Sequence, residues 1–255
     1  CVETLGRQGI GVMKLTHIYN LKYFYIFTLC SQYLYKGESY MIVEEIMQTN
    51  VYTLKPTDKV MDAVRLMREK KVRHLPIVNE NEEVVGIVTD HDIKNALPSC
   101  LREEPNSVTY EALIEEMMVK NPIIGHPLDF VEEVALTFYE NKISCLPIVS
   151  GGQLVGIVTT TDVLYRYIEL TGANQPASKL DIRVTNKPGV LHDITGIISQ
   201  HKANVLSVLV YPDSENENSR ILSIRLQIIN PLAIIEDLRK EGFDVLWPNL
   251  PGIKL

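Results

Sequence analysis

The chain has 255 residues, is 45% hydrophobic and 22% charged, and carries a net charge of −7 with a pI near 5.4. That length admits two domains of ordinary globular composition. The acidity excludes a nucleic-acid backbone as the ligand, which would need a basic face. The four cysteines, Cys1, Cys30, Cys100 and Cys145, show neither a CxxC pair nor Cys/His ligand spacing. Neither a disulfide framework nor a metal site is expected, and Cys145 reads as a small buried hydrophobe.

Residues 1–40 differ from the rest of the chain. They hold eight of the eighteen aromatics and a charge of +2, leaving −9 for the remainder. Lys22, Asn20, Ser31 and Gln32 interrupt the apolar run, which disfavours a transmembrane helix of about 20 apolar residues. A secretory signal stays open, although a small-residue cleavage site is missing. The reading preferred here is that the natural protein begins at Met41. The chain starts with Cys, and Lys36-Gly37-Glu38 can be encoded by AAA-GGA-GAG, which resembles a bacterial ribosome-binding site. Residues 1–40 would then be translated upstream sequence with no packed role.

From residue 41 to 170 the chain repeats itself. At an offset of 71, Glu44-Glu45-Ile46-Met47 overlays Glu115-Glu116-Met117-Met118, and Leu75-Pro76-Ile77-Val78 overlays Leu146-Pro147-Ile148-Val149. At an offset of 70, Gly86, Thr89 and Asp92 overlay Gly156, Thr159 and Asp162. Such self-similarity marks duplicated units packed together. In each unit a short strand is expected first, Val51 to Leu54 in the first copy. A helix comes after it, with one apolar face from Val60, Ala63, Val64 and Met67, or from Val131, Val134, Ala135 and Phe138. Two apolar strands joined by a polar turn come next, then a closing helix. A linker with Pro98 and Pro105 joins the units.

Each second strand delivers Thr-x-x-Asp to the first turn of a helix. Unpaired N–H groups there suit phosphate, and the carboxylate suits a ribose diol. The same residues serve equally as helix caps. Two copies in one context favour a site.

The order β-α-β-β-α with LPIV…GIVTxxD resembles a tandem pair of CBS domains, a Bateman module. The resemblance implies adenosine compounds (AMP, ADP, ATP or S-adenosylmethionine) in two clefts between the repeats. It assigns Ile157, Thr159, Thr161 and Asp162, facing Met47, Tyr52, Val72, Arg73 and His74, to a first cleft. A second would hold Ile87, Thr89 and Asp92, facing Met118, Ile123, Ile143 and Ser144. Arg73 and His74 would take phosphate in the first cleft, making it the better site. With an ordinary pKa near 6.5, His74 would tighten that binding as pH falls toward about 6. The alternative for this pair is a solvated turn.

Leu180 to Val184 reads as a strand, followed by Asn186-Lys187-Pro188-Gly189-Val190-Leu191. A helix from about Val190 to His201 is expected to bury Leu191, Ile194, Ile197 and Ile198. Two strands around a polar hairpin, a helix near Pro231 and a closing strand to Trp247 complete βαββαβ. This order, with Asn-x-Pro-Gly-x-Leu, resembles an ACT domain. The resemblance implies a ferredoxin-like fold, pairing between copies, and an amino-acid site in the loop of Asn186, Pro188, Gly189, Val190 and Leu191. Serving only as a dimerisation unit is the alternative.

The fold class expected is α+β / α/β: residues 1–40 as a non-domain leader, CBS repeats at 41–98 and 112–170 with a linker at 99–111, and an ACT domain at 178–250. Two CBS repeats followed by an ACT domain resemble the acetoin-utilisation accessory (AcuB) family. That implies a cytoplasmic, non-enzymatic regulator of acetoin or acetate use. It needs no cofactor or metal, avoids nucleic acid and membrane, forms a homodimer and acts on an unknown protein target. An amino-acid sensor with the CBS pair as scaffold is the alternative. No Ser/His/Asp order, HExxH or GxxxxGK[ST] supports an enzyme.

Overall fold

The structure is a computed structural model that describes residues 41–96 and 111–248. The expectations for residues 1–40 and most of the linker lie outside the described residues. Six helices are described: α1 (Val60–Lys70), α2 (Asp90–Ala96), α3 (Val131–Asn141), α4 (Thr160–Thr171), α5 (Val190–Gln200) and α6 (Leu232–Lys240). The strands are β1 (His74–Val78), β2 (Val84–Thr89), β3 (Val119–Lys120), β4 (Cys145–Ser150), β5 (Gln153–Thr159), β6 (Ser178–Thr185), β7 (Val205–Pro212), β8 (Ser219–Leu226) and β9 (Asp244–Trp247). Single 3-10 turns stand at Val43–Glu45 and Ile114–Glu116.

The apolar stripes expected on α1 and α3 are where the cores form. Val60, Ala63 and Met67 pack with Leu75, Ile77 and Val88, and Val134 and Phe138 with Leu146, Ile148 and Val158. The strand expected at Val51 to Leu54 is absent. Only Leu54 bridges, to Ile77, because flanking residues face a core and a seam rather than a strand partner.

The two units exchange their first segments. Val43 N–H donates to Asp129 O and Glu44 N–H to Pro127 O, both at 2.9 Å. Ile114 N–H donates to Asp58 O at 2.8 Å and Glu115 N–H to Pro56 O at 3.1 Å, the same pair of bonds displaced by one repeat. Val43 is accordingly buried in the second core and Ile114 in the first. Each arm then lies on the opposite repeat's GIVT strand: β3 pairs Val119 with Ile87, and Gln48 pairs with Ile157.

The C-terminal unit has a four-stranded antiparallel sheet in the order β7-β8-β6-β9, with α5 and α6 packed on it around Leu180, Ile182, Ile194, Ile224 and Leu238. Val190, Ile194, Ile197 and Ile198 form the buried stripe of α5, whereas Leu191 is 43% exposed. The expectation for Leu191 is therefore wrong by one position. The helix starts at Val190, and the i, i+4, i+7, i+8 face runs from there.

Candidate functional site

The GIVT strands put their threonines at the ends of β2 and β5 and their isoleucines in the seam between the units. Ile87, Ile157 and Cys145 are buried there together, with Val51 against them. Gly86 and Gly156 lie under the exchanged arms. A Cβ on Gly156 would stand 2.6 Å from Met47 Sδ, and one on Gly86 would meet Met118 Sδ. The motif's glycine thus leaves room for the methionine of the opposite arm, Met47 or Met118, and at Gly156 also for the main-chain carbonyl of Gln48 at 3.2 Å.

Thr159 caps α4. Its main-chain N–H and hydroxyl donate to Oδ2 of Asp162 at 2.8 and 2.6 Å, and Asp162 N–H donates back to the hydroxyl. Thr89 and Asp92 repeat the arrangement at 2.8 and 2.7 Å. The capping reading and the site reading are therefore both available to the same residues. One carboxylate oxygen holds the helix start, and the other is left to a partner.

That partner does not follow from the sequence. Oδ1 of Asp162 accepts from the side-chain amide of Gln48 at 3.3 Å. The repeat overlay sets Gln48 against Val119. The difference between repeats is therefore legible, but not its counterpart 114 residues away.

Other assigned residues divide between the units. Tyr52 and Val72 pack against the first core, and Ile143 against the second. Tyr52 also lies under Lys70, whose Nζ is 5.4 Å from the ring centroid. Ile143 lines an apolar groove of about 270 Å³ with Phe138, Tyr139, Thr160 and Val163. Thr161 and Ile123 are exposed.

Arg73 is tied through its main chain to the helix start of its own repeat. Its carbonyl accepts the N–H of Asp90 at 2.9 Å, and its charge helps to hold the Asp90 carboxyl low, after the hydrogen bond from Lys94. Its charge is therefore felt at the helix start that carries Thr89 and Asp92. His74 crosses the seam, its Nε2 2.9 Å from Ser144 Oγ. Residues assigned to opposite clefts thus touch. Burial, then Arg73, pushes the His74 pKa down, against Asp90 and Asp92.

In the C-terminal loop, Asn186 N–H donates to Asn218 O at 2.9 Å, and residues 186–189 are exposed. Val190 is core. Gly189 has φ +92° and open space about its Cβ, so it serves backbone conformation rather than close approach. Among the described residues no helix is long and apolar enough to cross a membrane, and no three metal-ligating side chains gather.

The CBS domain family matches residues 43–99 and 114–169, and the AHAS small subunit-like ACT domain family matches residues 180–227. The chain belongs to the tandem CBS-domain proteins and carries an ACT domain behind the pair. The candidate acetoin utilization protein AcuB of Vibrio cholerae is 31% identical, aligning over 55% of this chain and 99% of its own, with a TM-score of 0.46. The CBS pair of MJ0100, solved with 5′-methylthioadenosine and S-adenosyl-L-methionine, is 29% identical over 52% of this chain and 98% of its own, with a TM-score of 0.44. The uncharacterized protein MJ1225 of Methanocaldococcus jannaschii is 33% identical over 132 residues, 52% of this chain and 43% of its own length. A homoserine O-acetyltransferase of Methanococcus vannielii is 32% identical over 123 residues, 48% of this chain and 24% of its own length. This chain spans less than half the length of these curated relatives.

Proposed function

We propose that the CBS pair is a non-enzymatic regulatory module that binds an adenosine ligand (AMP, ADP, ATP or S-adenosylmethionine) between the repeats. One observation carries this reading. In both repeats the Thr-x-x-Asp carboxylate is locked on one oxygen by its own threonine, leaving the other as acceptor for a ribose diol. A cap alone needs one oxygen, and the second oxygen of Asp162 sits next to an arm from the opposite repeat.

Binding would be felt at the ACT domain through α4. Its first turn holds Asp162 and its last residue, Thr171, accepts a hydrogen bond from Ser207 of β7 at 2.9 Å. A ligand that binds one arrangement of the repeats better shifts the population of that arrangement.

The ACT domain supports a homodimer, because β7 is a sheet edge exposing Val205, Leu209, Val210 and Tyr211. Val210→Lys should then lower the mass seen by light scattering. An amino-acid ligand at Asn186 to Leu191 is the weaker alternative, since Val190 faces the core. A cytoplasmic role in acetoin or acetate use rests on the domain order alone.

Calorimetric titration with AMP, ATP, S-adenosylmethionine and 5′-methylthioadenosine tests the main reading. Loss of both aspartates, Asp92→Ala with Asp162→Ala, should abolish binding. Each single loss should cost about ten- to a hundred-fold at its own cleft. Unchanged binding in the double variant would remove the proposal.

A further inference from the structure

The two carboxylate oxygens of Asp162 are not equivalent. Oδ2 accepts two donors from Thr159, which fills its two lone pairs. All acceptor capacity left for a ligand is on Oδ1, where the Gln48 amide donates from 3.3 Å. Gln48 is held in place by main-chain bonds to Ile157 in both directions, at 2.9 and 3.0 Å. In the twin cleft the same station on the opposing arm is Val119, which pairs with Ile87. Valine has no side-chain donor. Among the described residues nothing donates to Oδ1 of Asp92.

We infer that Gln48 is a specificity-determining residue whose amide competes with a ribose hydroxyl for Oδ1 of Asp162. The inference rests on the adenosine reading above. A ribose diol presents two O–H donors, and Oδ1 has two lone pairs. With Gln48 in place only one hydroxyl is accommodated; both fit only when the amide swings away. Gln48 is exposed, so the released amide is solvated at once and the arm itself stays paired. The cleft therefore distinguishes a riboside from a 2′-deoxyriboside poorly, and it fills after its twin.

The experiment uses the full chain with Asp92→Ala, which leaves the Asp162 cleft as the one under observation. AMP and 2′-deoxy-AMP are titrated calorimetrically with Gln48 present and with Gln48→Val, which installs the other arm's residue. With Gln48 the two ligands should bind within about threefold of each other. In Gln48→Val, AMP should tighten about tenfold, the worth of one hydrogen bond to a charged acceptor, and 2′-deoxy-AMP should barely change. Gln48→Ala should repeat the gain, separating loss of the amide from the added bulk of valine. Binding that persists but does not tighten for AMP in either variant overturns the role of Gln48. Absence of AMP binding in every protein, the parent with both aspartates included, overturns the adenosine reading itself.

Discussion

The sulfur of Met47 lies 2.6 Å from where a Cβ on Gly156 would be, and the carbonyl oxygen of Gln48 lies 3.2 Å from it. The methionine can swing away, but the carbonyl is part of the pairing with Ile157. Gly156→Val should therefore push the arm off β5 and cost about 1–3 kcal/mol, the usual penalty for overpacking. Denaturant unfolding measures this. An unchanged midpoint would mean that the arm is not fixed in this way.

His74 gives the seam an acid sensitivity. Burial and Arg73 push its pKa below the ordinary value, so the unfolded chain takes up the proton first. The stability from this site is full above about pH 6.5 and is lost as pH falls through the lowered folded value. The lowered value moves any tightening of phosphate binding by a charged His74 to a pH below the one expected from an ordinary histidine. Stability should decline on acidification below about pH 6.5, and His74→Gln should flatten the decline. An identical slope in the variant would place the sensitivity elsewhere.

Cys145 is buried in the seam, and burial, with Asp92 adding to it, pushes its pKa up to about 12. The thiol stays protonated at neutral pH and is a poor nucleophile. Peptide-level mass spectrometry after iodoacetamide treatment at about pH 8 should find Cys145 unmodified in the native protein and modified in denaturant. Rapid native labelling would show that the seam opens.

Gly172 ends α4 at φ +63°, with an added Cβ 3.4 Å from Leu206 and from Arg225. Gly172→Val combines left-handed strain with a crowded joint and should cost about 1–2 kcal/mol. Hydrogen exchange should speed up at the end of α4 and along β7, while α5 and α6 keep their protection. Uniform loss of protection would mean that the joint is not a separate element.

Much of the architecture is legible without coordinates because it arises from local periodicity. The stripe of Val60, Ala63 and Met67 makes a helix with one buried side, and the doubled GIVTxxD announces two equivalent helix starts. The βαββαβ order of the ACT domain comes from alternation and turn chemistry in the same way. The one-residue slip at Leu191 arises although the helix start at Val190 is legible, because Val190 and Leu191 are both apolar and only packing on the sheet decides which of the two faces the core. What only tertiary structure decided are relations between distant residues. These are the exchange of the arms, which makes Gly156 a seat for Met47, the hydrogen bond from Gln48 to Asp162, and the contact between His74 and Ser144. No local pattern specifies them, because a side chain's partner across a pseudo-twofold seam depends on how two complete units close on each other.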